Sequence, residues 1–126
     1  MLAETKAFNS FAVDDVEAAK GFYEETLGLE VEVLDEEHGL LMLKLAGGRD
    51  TFVYRKPDFA PATYTVLNFE VTDIDSVVDD LAARGVSFER VEGFEQDENR
   101  VTYGNGPRIA WFRDPAGNIL SVLEQQ

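Results

Sequence analysis

Apolar positions along the chain follow a strand-like and then a helix-like period, and this order occurs twice. The first copy covers residues 11–32, "FAVDDVEAAKGFYEETLGLEVE", and the second covers residues 69–90, "FEVTDIDSVVDDLAARGVSFER". In each copy an alternating stretch precedes apolar residues spaced three and four apart, which is typical of an amphipathic helix. A glycine and a second strand-like stretch follow. The repeat predicts two modules with the same architecture.

The helix of each copy has a predicted start and a predicted end. Side chains that can accept hydrogen bonds from free backbone N–H groups precede both helices: Asp14 or Asp15 in the first copy, and Thr72 or Asp73 in the second. Gly28 and Gly85 fit the left-handed residue that commonly ends a helix. We therefore interpret these carboxylates as helix caps rather than as catalytic groups.

Further strands are predicted after each helix. They cover residues 29–34, 40–45 and 51–54 in the first module, and residues 86–91, 100–103, 108–113 and 119–123 in the second. The predicted fold class is α+β, with two β-α-β-β-β modules of about residues 5–55 and 64–124 in a single domain. Residues 55–63 contain two of the four prolines and are predicted to be the linker. The polar residues 93–107 are expected to fold over a binding surface.

Composition restricts the possible partners. Acidic residues outnumber basic residues 25 to 11, for a net charge of −14, and this excess disfavours binding to nucleic acid or anionic lipid. The same charge would attract a cationic ligand. Cysteine is absent, which excludes thiolate metal sites and thiol nucleophiles. No apolar run reaches the about 18 residues of a membrane span, and we expect a cytoplasmic protein.

Two motifs resemble the vicinal oxygen chelate superfamily, the glyoxalase, bleomycin-resistance and extradiol-dioxygenase group. "FAVDDVEAAKGFYEETLGLEV" resembles that group's strand, Asp and helix ending in Phe-Tyr and Leu-Gly-Leu, and "FRDPAGNILSVLE" resembles its Asp-Pro-x-Gly-Asn turn. The resemblance implies mixed, curved sheets that form a cupped, barrel-like cleft, and it implies a homodimer. One fold of this kind hosts many chemistries, so function must be argued from the site.

The resemblance also implies where a metal would be bound. Metal-dependent members carry four ligands, one on the first and one on the last strand of each module. These positions correspond to Phe8, Val66, Ser121 and a residue within residues 51–54, and none is His, Asp or Glu. The only histidine, His38, is predicted to lie in a hairpin, so a site with two imidazoles is excluded. We therefore expect neither a metal nor another cofactor.

Strand alternation predicts which side chains line the cleft. Leu67, Phe69 and Val71 are expected beneath the helix, and Val66, Asn68 and Glu70 on the opposite face. Six aromatic residues are expected to border the cleft: Phe52, Tyr54, Tyr64, Phe94, Tyr103 and Trp111. The predicted ligand-binding residues are Phe8, Phe52, Tyr54, Val66, Asn68, Glu70, Tyr103, Trp111 and Ser121. Arg108 and Arg113 either bind an anion or form surface salt bridges.

Two functions remain open at this point. The first is a metal-free binding protein that sequesters a small aromatic or cationic molecule, as bleomycin-resistance members do. The second is a cofactor-free or weakly metal-assisted isomerase, epimerase or lyase for a small oxygenated metabolite, with Glu70 as general base. Replacing Glu70 with Gln would abolish turnover and spare binding in the second case. A protein whose only role is dimerisation with another partner is a third interpretation.

Overall fold

The computed structural model describes residues 1–104 and 106–125. These residues form two compact units, unit 1 (Met1–Ala60) and unit 2 (Pro61–Gln126), and the boundary lies within the segment whose composition predicts a linker. Each unit contains one mixed sheet and one main helix, so the predicted α+β fold class is confirmed. None of the helices in the described part of the chain is long and apolar enough to cross a membrane.

Unit 1 contains four strands and one helix. In chain order they are β1 (Asn9–Val13), α1 (Val16–Gly21), β2 (Glu30–Asp35), β3 (Leu40–Lys44) and β4 (Thr51–Arg55), after a 3-10 turn at Leu2–Glu4. The sheet order is β1-β4-β3-β2, with β1 parallel to β4 and the other pairs antiparallel. Helix α1 continues into a wider π-helical turn, Phe22–Thr26, in which Tyr23 is completely buried. The periodicity predicts a helix here but not this change of winding.

Unit 2 contains three strands and one helix. They are β5 (Thr65–Glu70), α2 (Ile74–Ala83), β6 (Arg108–Arg113) and β7 (Ile119–Glu124). The sheet order is β5-β7-β6, with β5 parallel to β7 and β6 antiparallel to β7. The parallel pair places the first and the last strand of the unit side by side, as β1 and β4 are in unit 1. The two units therefore share the same strand connections around their parallel pairs.

The predicted strand at residues 86–91 is wrong, and so is the one at residues 100–103. In the described part of the chain, one backbone hydrogen bond joins the first segment to β6, from Glu89 N–H to Trp111 O at 2.8 Å. The side chain of Gln96 occupies backbone groups that a strand partner would use: its Oε1 accepts from Val91 N–H at 2.9 Å, and its Nε2 donates to Glu89 O at 3.0 Å. Thr102 forms an isolated bridge with Gln96 instead of a strand.

The predicted helix caps are confirmed. The Asp15 side chain accepts a hydrogen bond from Ala18 N–H at 3.1 Å, and Asp73 accepts from Ser76 N–H at 3.2 Å. Gly28 and Gly85, which follow the two helical segments, have φ of +74° and +96°, a conformation that favours glycine. These aspartates satisfy backbone donors, so they belong to the fold and not to a reaction centre.

One face of each sheet is buried, and most side chains on the opposite face are half-buried or exposed. Three residues in register form a row on the buried face of each unit: Phe11, Val53 and Leu41 in unit 1, and Leu67, Leu120 and Phe112 in unit 2. Each of these side chains is at most 9 % exposed. Helix α2 contributes the buried residues Ile74, Val78 and Leu81. The alternation of the strands then leaves the opposite side of each sheet, here called the open face, for other contacts.

Candidate functional site

The open face of unit 1 carries an aromatic pair. Phe52 of β4 lies opposite Ser10 of β1 and opposite Met42 of β3. The ring of Phe8 stacks on the ring of Phe52, with centroids 4.6 Å apart and planes inclined by 27°. Phe8 is nevertheless 63 % exposed, and Tyr54, two residues beyond Phe52, is also exposed. The structure thus brings Phe8 and Phe52 into direct contact and places Tyr54 farther along the same strand.

A groove of about 780 Å³ lies beside this aromatic pair. Its lining includes Lys6, Phe8, Met42, Arg49, Asp50 and Phe52. Its volume lies in the range typical of small-molecule sites, and it combines apolar surface with a few polar groups. Sequence reasoning missed Lys6, Met42 and Arg49. Strand alternation could have placed Met42 opposite Phe52, but it carries no information about the loop that holds Arg49.

The open face of unit 2 has a polar row. Asn68 of β5, Ser121 of β7 and Trp111 of β6 lie opposite one another across the three strands. Ser121 is completely buried, and its hydroxyl donates a hydrogen bond of 2.6 Å to Oδ1 of Asn68. Asn68 itself is exposed, and the described residues offer no partner to its Nδ2. Ser121 therefore occupies the amide oxygen of Asn68, and the N–H donors of this exposed side chain remain available to a ligand.

Trp111 lies among further aromatic residues of unit 2. The ring of Phe94, from the loop at residues 92–107, is 5.1 Å from the ring of Trp111, and Phe94 is 46 % exposed. A smaller groove of about 220 Å³ is lined by Tyr64, Trp111 and Arg113 among others. Residues 93–107 thus place at least Phe94 against the open face, although Asn105 lies outside the described residues. Such rings offer broad apolar surfaces to a flat ligand.

The other predicted site residues occupy less enclosed positions. Glu70 lies opposite Leu123 and is exposed, and within the described ranges its carboxylate has no hydrogen-bond or ion-pair partner. Val66 is half-buried at a register irregularity between β5 and β7. Tyr103 lies in the loop before β6 and is 56 % exposed. These three residues do not contribute to the Asn68–Ser121–Trp111 row.

Most charged side chains near the sheets have structural partners. Arg108 donates to both carboxylate oxygens of Asp75 at 3.1 and 3.0 Å, and these bonds lower the pKa of Asp75. His38 lies in the exposed turn between β2 and β3, where its backbone N–H donates to Asp35 at 3.0 Å. That hydrogen bond is the main reason why the pKa of Asp35 is lowered. His38 therefore fixes its own turn.

The Asp-Pro-Ala-Gly-Asn segment is a hydrogen-bonded turn between β6 and β7. The carboxylate of Asp114 accepts from Asn118 N–H at 2.8 Å and from Asn118 Nδ2 at 3.1 Å. Both side chains are almost completely buried. Gly117 has a φ of +95°, and its N–H donates to Asp114 O at 3.0 Å. Asp114 is thus committed to closing the turn and positions β7 relative to β6.

The repeat, the parallel strand pairs and this turn agree with a family comparison. The sequence profile of the Glyoxalase/Bleomycin resistance protein/Dioxygenase superfamily matches residues 7–122. The chain belongs to this superfamily. No curated protein matches the sequence. The profile match, which covers most of the chain, establishes this membership.

Solved structures with the glyoxalase-superfamily fold cover nearly the whole chain. One is TnmS3, an antibiotic binding protein from a Streptomyces species, with a TM-score of 0.72 and 24 % identity over 98 % of both chains. Another is a superfamily member from Sphaerobacter thermophilus, with a TM-score of 0.69 and 26 % identity over 95 % of this chain and 98 % of that one. The fosfomycin resistance protein FosX from Listeria monocytogenes has a TM-score of 0.73 and 13 % identity over 98 % of this chain and 92 % of that one.

The residues at the metal-ligand positions implied by the superfamily resemblance do not fit a metal. Ser121 pairs with Asn68 in unit 2, and Phe52 pairs with Ser10, the equivalent of Asn68, in unit 1. Phe52 is therefore the counterpart of Ser121 and occupies the fourth metal-ligand position. At the four positions the chain therefore has two stacked phenyl rings, the aliphatic side chain of Val66 and a hydroxyl already bonded to Asn68. Proteins bind hard and borderline metal ions mainly through imidazole, carboxylate, carbonyl or thiolate groups, and none of the four side chains carries one. The described residues contain no cluster of three or more His, Cys, Asp or Glu side chains.

Proposed function

We propose that the protein is a metal-independent small-molecule-binding protein of the bleomycin-resistance type, which sequesters an aromatic or cationic ligand. The observation that carries this proposal is the stacked pair Phe8–Phe52 at two positions where the resemblance implies metal ligands. A superfamily that contains an antibiotic binding protein and a fosfomycin resistance protein supports binding of a small molecule. Sequestration requires affinity and no chemical step.

The surface chemistry supports an aromatic ligand. Phe8 is stacked on one side but still 63 % exposed, so a flat molecule can bury additional ring surface there. Each square ångström of apolar surface removed from water contributes about 25 cal/mol. In unit 2 the exposed amide of Asn68 and the ring of Trp111 combine a hydrogen-bond donor with an apolar surface. A few oriented polar groups in apolar surroundings are typical of ligand sites.

The position of Glu70 favours binding over turnover. The alternative function requires a carboxylate that an apolar environment keeps partly desolvated, so that it can remove a proton from the substrate. Glu70 is exposed, and the described residues place no second acidic or basic group in contact with its carboxylate. This exposed setting supports binding rather than proton removal as the function.

The proposal includes the assembly and location of the protein. We propose a homodimer in the cytoplasm, without a nucleic-acid or membrane partner. The net charge of −14 supports the exclusion of polyanionic partners, since binding to them depends on Lys and Arg that displace counterions. Sedimentation of the purified protein measures its assembly state directly. A monomer at all concentrations would contradict the dimer.

A thermal-shift titration with a flat aromatic probe, 2-naphthalenemethanol, tests the function. A ligand that binds only the folded state raises the melting temperature by mass action. We expect the same shift with and without EDTA, and an affinity about fivefold lower in Phe8→Ala, since aromatic pairs contribute about 1 kcal/mol. Leu2→Ala is the matched control, because Leu2 is also exposed and apolar but does not line the groove. Loss of binding with EDTA, restored by Zn²⁺, would overturn the proposal.

A further inference from the structure

Basic side chains of this chain are scarce, and most have a carboxylate partner. Six ion pairs account for more than half of the 11 Lys and Arg residues: Lys20–Glu24, Lys44–Glu32, Lys56–Asp58, Arg84–Asp80, Arg108–Asp75 and Arg113–Glu89. Two other arginines bind neutral oxygens: Arg55 donates to Glu37 O, and Arg90 donates to Phe94 O and to Gln96. With 25 acidic residues available, a basic side chain readily finds a partner.

The side chains of three basic residues have no hydrogen-bond or ion-pair partner among the residues that the structure describes: Lys6, Arg49 and Arg100. Lys6 and Arg49 line the same groove, beside the stacked rings of Phe8 and Phe52. Both side chains are exposed. The only acidic residue of the lining is Asp50, so the groove has two basic groups and one acidic group in a protein of net charge −14.

We infer that this groove binds an aromatic ligand that carries an anionic group. The ring packs on the exposed side of Phe8 and Phe52, and the anion is held by the ammonium of Lys6 and the guanidinium of Arg49. An ammonium or guanidinium forms stronger, shorter hydrogen bonds with an anionic oxygen than with a neutral one. This inference rests on the proposed function, because it specifies the ligand of the same groove.

The charges that line the groove determine whether it prefers an anionic or a cationic ligand more strongly than the net charge of the protein does. Electrostatic interactions between exposed charges are largely screened beyond about 8 Å at physiological ionic strength. The acidic excess is spread over both units, whereas Lys6 and Arg49 face the groove itself. A bound anion therefore interacts most strongly with these two groups. The net charge of the chain favours a cationic ligand, whereas the charges that line this groove favour an anionic one.

Three probes that share one ring system separate the charge effect from the ring effect. We would measure, by calorimetry on the full-length protein at pH 7, the affinities of 2-naphthoate, neutral 2-naphthalenemethanol and the cation 2-naphthylmethylammonium. We expect 2-naphthoate to bind at least about fivefold more tightly than the neutral probe, and the cation to bind no more tightly than the neutral probe. The advantage of 2-naphthoate decreases as NaCl is raised, because salt screens exposed charges.

Two single variants test whether Lys6 and Arg49 cause the tighter binding of 2-naphthoate. Lys6→Gln and Arg49→Gln should each weaken 2-naphthoate binding about fivefold and weaken the neutral probe by a smaller factor. Arg100→Asn is the matched control: it removes the same charge from an unpaired residue outside the groove, and asparagine tolerates the φ of +70° at this position. The control should leave all three affinities unchanged.

The outcomes separate this inference from the proposed function. If no probe binds, the proposed function fails and the inference fails with it. If the neutral or the cationic probe binds as tightly as 2-naphthoate, the inference is overturned while the proposed function stands. The inference is also overturned if 2-naphthoate binds most tightly but neither Lys6→Gln nor Arg49→Gln weakens it more than Arg100→Asn does.

Discussion

The hydroxyl of Ser121 on β7 donates a 2.6 Å hydrogen bond to Oδ1 of Asn68 on the neighbouring parallel strand β5. The equivalent pair in unit 1 is Phe52 and Ser10, and there Phe52 instead stacks on Phe8. The same position of the repeated architecture therefore orients an amide in one unit and forms an aromatic surface in the other. Neither arrangement offers the ligands that a metal requires.

Replacing Ser121 with Ala tests how much this hydrogen bond stabilises the protein. We expect the free energy of unfolding to fall by about 1 kcal/mol, the usual net contribution of one hydrogen bond. The loss stays small because Asn68 is exposed and water can satisfy its Oδ1. Urea denaturation measures the change, with Ser76→Ala on the exposed side of α2 as control, expected within about 0.5 kcal/mol of wild type. A loss above about 3 kcal/mol for Ser121→Ala would show that the hydroxyl has another structural role.

Gly39 and Gly48 allow backbone strain to be separated from crowding. Their φ values are nearly equal, +71° and +70°, so alanine is strained at both positions by about 1–2 kcal/mol. An added Cβ at Gly39 would lie 2.9 Å from Cβ of Arg55 and 3.1 Å from Cγ2 of Val16, whereas no atom lies within 4 Å at Gly48. We expect Gly39→Ala to cost about 1–3 kcal/mol more than Gly48→Ala in thermal or urea unfolding. Equal losses would contradict the close packing at Gly39.

Replacing Asp114 with Ala should destabilise the turn before β7. The substitution leaves the buried N–H and Nδ2 of Asn118 without the carboxylate that accepts from both. We expect a loss of about 3 kcal/mol, because an unsatisfied buried donor costs about 1–3 kcal/mol. Asp79→Ala is the control, since Asp79 is exposed on α2 and alanine favours helix. If Asp114→Ala unfolds at the same urea concentration as wild type, the turn contributes little to stability.

The ion pair of Asp75 and Arg108 predicts a pH dependence of stability. The guanidinium lowers the pKa of Asp75 below its ordinary value of 3.8, so the folded state binds this proton less readily than the unfolded state. The stabilisation is therefore complete above that ordinary value and is lost as the pH falls through the lower folded value. We expect Asp75→Asn to reduce the free energy of unfolding at pH 7 by about 0.5–1 kcal/mol, as for other exposed ion pairs.

The same difference should become smaller as the pH falls below that ordinary value, because protonation of Asp75 removes the charge that pairs with Arg108. Asp79→Asn, on the same helix and also exposed, is the matched control. Its difference from wild type should change little between pH 7 and pH 2. A difference for Asp75→Asn that persists undiminished in acid would show that its effect does not depend on the charge.

The sequence predicts the elements whose stabilising contacts are local. The caps at Asp15 and Asp73 and the glycines that follow the helices depend on residues a few positions apart, and these predictions are confirmed. The strand predicted at residues 86–91 is wrong, because periodicity describes side chains and cannot show that a side chain, Gln96, takes the backbone hydrogen bonds. The spacing of apolar residues did not predict the π-helical turn Phe22–Thr26 either.

The candidate site could be predicted only in part. Strand alternation places Asn68 and Ser121 on one face, and the register aligns them with Trp111. Contacts made by loops were not predictable, such as the approach of Phe94 to Trp111. Composition gives the total charge of −14 but not the positions of the charges. It therefore could not predict that the side chain of Arg49 lines a groove and has no carboxylate partner among the described residues.

Trp111 is the only tryptophan of the chain, half-buried and in ring contact with Phe94. Indole emission depends on the polarity around the ring, so the native protein carries an intrinsic fluorescent reporter on the open face of unit 2. The groove that contains Lys6 and Arg49 has no such fluorophore. A compound that raises the melting temperature but leaves the emission unchanged binds without altering the surroundings of the Trp111 ring, which two simple optical measurements can detect without labelling.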